Sequence, residues 1–419
     1  MRRHLVRNLR GPLVADEPIV SVDFSSLALG KHTAAAFLSA TGFTFTRASS
    51  STVQTSASTI VTGVATDEAC IGSSNGTDKG LVIQNNTKTY VGVVVGAASP
   101  RNLNTEWAAG SATTTYPYAD SPDGSGTGCS RVNAASGQYG NYGDPHGAAT
   151  TNDWCFSSWQ RSKDATSNGG MQQGIVIATP GDCTQTVRAA SNTWGRVVTA
   201  KGAANGRYYD TVDARNYSGS GGETARARDV LVDYIQLERG SFATEAIPTA
   251  LTRRSCDVLK YASGSSLLQG GRIKFKLGFY PKHSSSQSTY YDGSGASGAA
   301  AHWHLCTASG FDARIRVADR FIRVTDGVTP EVGNVAMVWS AGDFVEVYVE
   351  MGNGTSLAKY RVNGGAWTDL GLTGSLPSLS ASGAVHFCND IAGSLTGDDG
   401  SLVCRLKSIV VYSTGQREP

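Results

Sequence analysis

The chain has 419 residues, of which 50 are glycine, 17% are charged and 40% are hydrophobic, and its formal net charge at pH 7 is +2. This length exceeds what one hydrophobic core usually supports, so we expect two or three domains. The near-neutral charge gives no reason to expect a nucleic-acid partner. The chain also lacks the roughly 18 consecutive apolar residues of a transmembrane helix, so we expect no membrane partner. Frequent glycine-containing turns and few helix-forming windows indicate an all-β protein.

The N-terminal arm, residues 1–23, is basic and carries two prolines before any region dense in strands. Its arginines are Arg2, Arg3, Arg7 and Arg10. The arm is too short to fold by itself and has no apolar run of signal-peptide length. We therefore expect no Sec signal and a segment that is either disordered or docked.

Residues 24–97 alternate short strand-like runs with turns, and they contain few large apolar side chains. Such a segment is poorly suited to bury a core of its own. We predict an extended β segment that packs against its neighbour or pairs with other subunits.

Residues 98–250 contain about eight strand-like runs separated by Gly, Asn, Asp or Pro, which favours a jelly-roll sandwich. Its last run, 229–237, alternates so that both faces carry large side chains, which predicts a strand packed on two sides. Pro248 cannot donate a backbone hydrogen bond, so we place the end of this domain there.

Residues 255–416 predict a second β-sandwich with unusually clear strands, among them 272–279, 344–351 and 403–412. Asn363 and Gly364 lie between two such runs, and both residue types tolerate positive φ. We therefore predict a tight hairpin turn at this pair.

Several short segments of the sequence resemble segments of known protein families. QLERGSFATEAIPT (236–249) is similar to the end of the carbohydrate-binding-module-like jelly roll in bacteriophage fibre and spike proteins. The segment SPDGSGTG (121–128) resembles a turn of the same jelly rolls. Two further segments, FTRAS (45–49) and GLVIQNN (80–86), are similar to sequences of phage head spike or tail fibre proteins. The strand FVEVYVEM, the hairpin VNGGAW and the last strand LKSIVVYS resemble concanavalin A-like or laminin G-like sandwiches.

This resemblance implies a structural virion protein on the surface of a phage or phage-like particle, assembled in the host cytoplasm. The four arginines Arg2, Arg3, Arg7 and Arg10 would then anchor the arm to other virion proteins. The same resemblance leads us to expect a homotrimer that contacts host cell-surface polysaccharide.

Aromatic side chains that stack on sugar rings, together with polar groups for the hydroxyls, are the candidates for glycan contact. In the first sandwich they are Tyr139, Tyr142, Asp144 and His146, within a stretch we predict as a loop. In the second they are Tyr290, Tyr291 and Trp303. Trp154 and Trp159 are nearby aromatics that we interpret as core residues, because large aromatics dominate sandwich cores.

Catalysis has weaker support than binding. The paired acids Asp120 with Asp123 and Asp398 with Asp399 lie in glycine-rich turns, where aspartate commonly forms the turn itself. We therefore predict no catalytic residues and no enzyme.

Metals and cofactors also have weak support. The eight cysteines show neither a CxxC pair nor histidines at metal spacing, and no phosphate-binding glycine motif follows a strand. We predict no metal and no cofactor. We expect the cysteines to be buried free thiols, with Cys388 and Cys404 the best candidates for a later disulfide.

The sequence thus predicts a non-enzymatic virion fibre or spike protein that presents β-sandwich domains to host glycans. Two alternatives stay open. One is a capsid decoration or structural fibre protein without receptor binding, and the other is a polysaccharide depolymerase.

Overall fold

The computed structural model describes residues 18–84, 87–88, 107–109, 113–118, 120–124, 129–135, 139–145, 154–163, 172–176, 183–187, 191–201, 207–213, 228–247, 253–254, 256–287, 290–292, 297–299, 302–389 and 399–413. Their regular structure is almost entirely β-strand, in several sheets, which confirms the predicted all-β fold. No helix in these ranges is long and apolar enough to cross a membrane.

The strands are numbered in chain order. The N-terminal part contains β1 Val20–Asp23, β2 Gly30–His32, β3 Thr44–Thr46, β4 Ser51–Gln54, β5 Ile60–Val64, β6 Ala69–Gly72 and β7 Gly80–Ile83. It also contains a 3₁₀-helix over Phe24–Ser26 and helix α1 over Ala34–Thr41.

The middle part contains β8 Thr87–Lys88, β9 Trp107–Ala109, β10 Thr113–Tyr118, β11 Cys129–Ala134, β12 Tyr139–Pro145, β13 Trp154–Ser162, β14 Gln172–Val176, β15 Cys183–Val187, β16 Gly195–Lys201, β17 Arg207–Asp213 and β18 Arg228–Arg239.

The C-terminal part contains β19 Arg253–Arg254, β20 Val258–Tyr261, β21 Ile273–Pro281, β22 Tyr290–Asp292, β23 Ser297–Ala299, β24 His302–Ala308, β25 Phe311–Arg316, β26 Ile322–Thr325, β27 Pro330–Val332, β28 Val345–Gly352, β29 Thr355–Val362, β30 Thr368–Asp369, β31 Val385–Phe387, β32 Asp399–Ser401 and β33 Cys404–Val411. Helix α2 spans Gly264–Leu267.

The larger sheet of the C-terminal sandwich joins both ends of the described chain. Its order is β2-β6-β7-β33-β21-β28-β29-β30, and β1 also pairs with β33. Val20 is the register partner of Val411, and Leu81 is the partner of Leu406. The first strands of the protein are therefore hydrogen-bonded to its last strand.

The second sheet of this sandwich has the order β27-β26-β25-β24-β31-β20-β3, with β32 running parallel to β24. Its edge strand β3 comes from the N-terminal part and pairs with β20 through Phe45 and Leu259. Both sheets of the sandwich thus contain strands from residues 18–84.

One hydrophobic core fills the space between these two sheets. Phe24, Phe37, Phe43 and Phe45 are at most 2% exposed and belong to the same buried cluster as Phe387. The ring of Phe43 lies 5.7 Å from that of Phe387. Burying each such side chain stabilises the fold by about 1.5–3 kcal/mol. The N-terminal part is therefore an integral part of the C-terminal sandwich.

This arrangement corrects the prediction for residues 24–97. Residues 24–84 do not form a separate extended segment, and the partners of their strands in the larger and second sheets lie in the same chain rather than on other subunits. The prediction considered only the apolar residues inside the segment. Four phenylalanines are enough when distant strands of the same chain supply the rest of the core.

Strands β9–β18 form the predicted jelly roll. Its two sheets have the orders β10-β11-β18-β13-β16 and β15-β14-β17-β12-β9. Within them, β11-β18-β13-β16 and β12-β17-β14-β15 are the strand orders of two interleaved Greek keys, as in a jelly roll. Strand β18 is last in sequence but central in its sheet, and residues 230–238 are buried, as the alternation on both faces predicted.

The jelly roll is inserted into the C-terminal sandwich. Strands β7 and β20 both belong to that sandwich, and β9–β18 lie between them in sequence. The two connecting segments pair with each other, since Lys88 in β8 is the register partner of Arg253 in β19. The chain therefore leaves the sandwich and returns to it at adjacent points.

A buried polar network joins the jelly roll to the sandwich. Glu245, just after β18, forms ion pairs with Lys282 and with Arg405, the latter at 3.5 Å, and accepts a hydrogen bond of 2.9 Å from the backbone N–H of Gln54. Arg405 also donates to Asp78 at 2.5 Å. Burial alone would raise the pKa of Glu245, but the charges of Lys282 and Arg405 lower it to about 2. Glu245 is therefore ionised at neutral pH.

The predicted hairpin at Asn363 and Gly364 is confirmed. Their φ angles are 51° and 72°, and the backbone N–H of Gly365 donates to the carbonyl of Val362 at 2.9 Å. This turn joins β29 to the short segment that carries Trp367.

Candidate functional site

The predicted site residues of the jelly roll lie in a strand rather than a loop. Tyr139, Tyr142 and Asp144 belong to β12, which pairs with β17 and β9 inside its sheet; of this strand only the backbone is described. Positions 139 and 142 are an odd number of residues apart, so they belong to opposite faces of the sheet. His146 lies outside the described residues. The two tyrosines are therefore not placed as one stacking surface.

The residues predicted to form the site of the second sandwich lie in two different strands, β22 and β24. Tyr290 and Tyr291 lie in β22, which pairs with β23, and only their backbone is described. Trp303 is fully buried in β24, with its ring 4.5 Å from that of His283 and 5.7 Å from that of Trp339. Its prediction as a glycan contact is wrong, because a side chain enclosed in the core cannot stack on a sugar.

The predicted anchor residues Arg2, Arg3, Arg7 and Arg10 lie outside the described residues. Only the end of the arm is described, and there β1 is already part of the larger sheet.

Two of the four predicted turn aspartates, Asp120 and Asp123, have structural partners, whereas Asp399 lies in strand β32, of which only the backbone is described. Asp120 pairs with Arg161 and accepts a hydrogen bond of 3.3 Å from the indole N–H of Trp194, while Asp123 accepts one of 2.7 Å from the hydroxyl of Tyr234. These contacts support the interpretation of both as structural residues. Asp398 lies outside the described residues.

Cysteines in the described part of the chain are buried free thiols: Cys70, Cys129, Cys155, Cys256, Cys306, Cys388 and Cys404. Burial raises the pKa of Cys404, and its hydrogen bond with the thiol of Cys388 raises it further. The two thiols are therefore neighbours. Among the described residues, no group of three or more His, Cys, Asp or Glu side chains could hold a metal.

The most distinctive surface lies on the outer side of the larger sheet. Alternate residues of β21, β28 and β29 face away from the core there, and cross-strand register places Lys276 beside Tyr348, Tyr348 beside Lys359, and Glu346 beside Arg361. The opposite face of the same strands carries core residues such as Phe275 and Val347. Strict alternation thus sorts apolar residues inward and charged or aromatic residues outward.

The lower layer of this outer side is buried although it is polar. Tyr348 is 1% exposed, and its hydroxyl donates to Glu350 at 3.1 Å. Glu346 contacts Lys276 at 3.2 Å and Arg361 at 2.5 Å. Burial would raise the pKa of Glu346, but hydrogen bonds from these two bases outweigh it and lower the pKa. The Glu346 carboxylate is thus ionised and already paired.

Aromatic and basic side chains form the upper layer. The indole of Trp367 lies 4.7 Å from the guanidinium of Arg361 and 5.4 Å from the ammonium of Lys359. The ring of Tyr412 lies 6.0 Å from that of Tyr348. Trp367 and Tyr412 are half-buried, so part of each ring faces solvent. We call this surface the basic aromatic face, formed by Arg272, Lys276, Lys359, Arg361, Trp367 and Tyr412.

Chemically, the basic aromatic face carries the kinds of groups that bind a sugar. Its aromatic rings can stack on the C–H side of a sugar ring, and its cations can donate hydrogen bonds to oxygens beside that ring. No motif in the sequence singled out these residues, although the alternation of charges in IKFKLGF, VEVYVEM and LAKYRV contains the signal. Recognising it requires knowing that the three strands are neighbours.

Comparisons with known proteins are sparse. No family model matches the chain, and no curated protein matches it. Among solved structures, the chain is similar to the N-terminal CBM22-1-CBM22-2 tandem domain of Paenibacillus barcinonensis Xyn10C, with 9% identity. The match covers 80% of this chain and 98% of that one with a TM-score of 0.23, which does not establish a shared arrangement of elements.

Proposed function

We propose that the protein is a non-enzymatic glycan-binding protein whose basic aromatic face contacts polysaccharide on a host cell surface. The observation that carries this proposal is the half-buried indole of Trp367, which lies within cation–π distance of Lys359 and Arg361 on the outside of the larger sheet. A soluble β-sandwich usually covers its outer side with scattered polar residues. A fixed aromatic platform is the feature that sugar recognition requires.

The surroundings of Trp367 support binding because they hold the ring in place. Arg361 is itself fixed by its ion pair with Glu346, and Lys359 lies over both Trp367 and Tyr348. A ring held in advance loses little conformational entropy when a ligand stacks on it. The hairpin at Asn363 and Gly364 positions Trp367 relative to the strand that carries both cations.

Hydrolysis has less support on this face. A glycosidase of the usual kind needs one carboxylic acid that is protonated near neutral pH. Glu346 and Glu350 each contact two bases, and the pKa of Glu346 is lowered rather than raised. Both carboxylates therefore serve to hold the cations in place.

We further propose, from the resemblance of QLERGSFATEAIPT and SPDGSGTG to phage fibre and spike proteins, that the protein belongs to the surface of a phage-type particle. The arm with Arg2, Arg3, Arg7 and Arg10 would anchor it to other virion proteins. A homotrimer is part of the same proposal, and light scattering of the intact protein tests it. A stable monomer at micromolar concentration would contradict it.

A glycan array and the variant Trp367→Ala test the proposed function. We expect the intact protein to bind one or a few glycans, and Trp367→Ala to weaken this binding by about five- to thirtyfold, since stacking contributes about 1–2 kcal/mol. Leu38→Ala, which shortens a 45% exposed side chain on α1, is the matched control. It should bind like the unaltered protein.

Four outcomes separate the possible functions. Loss of binding in Trp367→Ala at an unchanged melting temperature supports the proposal. Loss of binding in Tyr139→Ala or Tyr290→Ala instead would move the site to the jelly roll or to β22. Release of new reducing ends from a purified polysaccharide would show a depolymerase, and absence of glycan binding in the intact protein would favour a purely structural role.

A further inference from the structure

On the basic aromatic face, two carboxylates are buried and the basic side chains that pair with them are more exposed. The side chains of Glu346 and Glu350 are 8% and 6% exposed, whereas those of Arg361, Arg272 and Lys276 are 28%, 25% and 20% exposed. A ligand that approaches from solvent therefore meets these cations and the aromatic rings before it meets Glu346 or Glu350, although Asp369 at the edge strand is exposed. The acids lie beneath the bases that they hold.

The face also carries more bases than acids. Each buried carboxylate lies between two basic side chains, and Lys359 adds a fifth base. The pairs are Lys276 and Arg361 on Glu346, and Arg272 and Lys274 on Glu350. A third acid, Asp369, is the register partner of Lys359 at the edge strand β30, and its carboxylate accepts a hydrogen bond of 2.7 Å from the backbone N–H of Gly371. Because the bases outnumber the acids, the surface around the indole of Trp367 is positively charged.

The cations are close enough to the indole to reach the substituents of a stacked sugar. The guanidinium of Arg361 and the ammonium of Lys359 are both within 5.4 Å of the ring centroid of Trp367. Because both cations lie over the ring, a sugar that packs against the remaining exposed part of the indole has these two charges as neighbours. An arginine fork and a lysine ammonium bind a carboxylate more strongly than a hydroxyl, because both partners are then charged.

Building on the proposed function, we infer that the ligand is an acidic polysaccharide whose repeating unit carries a carboxylate, such as a uronic acid. A neutral polysaccharide would fit this surface less well. Neutral sugars need acceptors as well as donors for their hydroxyl groups. Here the carboxylates of Glu346 and Glu350 are buried and paired, so the exposed groups are mainly donors.

Matched pairs of polysaccharides test this inference directly. Acidic bacterial capsular polysaccharides are assayed together with their carboxyl-reduced forms, in which each uronic acid has become a neutral hexose of the same backbone. We expect the intact protein to bind at least one acidic member, and reduction to weaken that binding by more than tenfold. Binding should also weaken as salt rises, since ionic strength screens exposed charges.

Single-charge variants locate the contact. Lys359→Gln and Arg361→Gln should each weaken binding to the acidic polysaccharide by about tenfold, the effect of losing one charge-assisted hydrogen bond. Arg316→Gln is the matched control, because Arg316 is a 43% exposed base on the other sheet of the sandwich. It should leave the affinity unchanged. Melting temperatures of all three variants show whether any loss reflects unfolding.

Different results would contradict a preference for acidic polysaccharide and glycan binding in general. Binding that survives carboxyl reduction and depends on Trp367 overturns the inference but keeps glycan binding. Binding that falls equally in Arg316→Gln and Arg361→Gln also overturns it, because the effect would then be general electrostatic attraction. Failure of the intact protein to bind any acidic or neutral polysaccharide overturns both.

Discussion

The ring of Phe242 stacks on the imidazole of His283, with ring centroids 4.8 Å apart and an interplanar angle of 28°. Phe242 belongs to the segment that leaves the jelly roll, and His283 belongs to the sandwich, where its ring also contacts Trp303. Residues 236–245, QLERGSFATE, are therefore the segment that fastens the jelly roll to the second sandwich. Glu245 in the same phrase adds the buried ion pairs with Lys282 and Arg405.

Glu245→Gln should destabilise the protein by about 3–5 kcal/mol, because it leaves Lys282 and Arg405 buried without their shared counter-charge. Urea unfolding followed by fluorescence measures the change. Asp319→Asn is the matched control, since Asp319 also lies between two arginines but is 27% exposed. Its cost should stay within about 1 kcal/mol. Equal effects of the two changes would show that the junction does not depend on the buried charge.

His283 should make stability depend on pH. Burial lowers its pKa from 6.5 to about 4, so the folded protein keeps it neutral at pH 5 while the unfolded chain protonates it. Its contribution is complete above pH 6.5 and falls as pH drops towards 4, by up to about 3 kcal/mol at about 1.4 kcal/mol per pH unit. Urea unfolding between pH 7 and 4.5 measures this slope, in a range above the titration of Glu245.

The variant His283→Phe provides the comparison for the pH effect. It keeps an aromatic ring between Phe242 and Trp303 but cannot take up a proton. Its free energy of unfolding should change less between pH 7 and 4.5 than that of the unaltered protein. Parallel slopes would mean that other groups cause the pH dependence.

The inserted jelly roll should be removable. Because Lys88 and Arg253 are register partners, a short glycine-serine linker in place of residues 89–252 closes the chain over a short distance. The product should unfold cooperatively in urea, with a β-rich circular dichroism spectrum. A fragment that starts at Thr252 lacks β1–β7 and the four buried phenylalanines, so it should show no cooperative transition. The opposite result would show that residues 18–84 are dispensable for the sandwich.

The buried thiols should be unreactive in the folded protein. Burial raises the pKa of Cys70 and of Cys129 to about 12, so neither is a thiolate at pH 8. A chromogenic disulfide reagent should label them only after unfolding in denaturant. Mass spectrometry of the labelled peptides identifies each site. Labelling of either cysteine under native conditions, at a rate independent of unfolding, would contradict the prediction.

The sequence alone was sufficient for features that depend on neighbouring residues. Alternation over 229–237 predicted a strand buried on both faces, and β18 is such a strand. Asn363 and Gly364 predicted a turn with positive φ, because these two residue types adopt it at low cost. The core position of Trp159 followed from its size and apolar character, and its side chain is 1% exposed.

Tertiary structure decided which strands are neighbours. Val20 pairs with Val411, and no local pattern in either strand specifies a partner so distant in sequence. For the same reason the four N-terminal phenylalanines could not be assigned to a C-terminal core, and Trp303 was taken for a surface residue although it is enclosed by His283 and Trp339. The basic aromatic face also depends on strand neighbours that no local pattern specifies. The strands and the hairpin that carry its charges are each recognisable in the sequence, but they form one surface only because backbone hydrogen bonds align β21, β28 and β29 side by side.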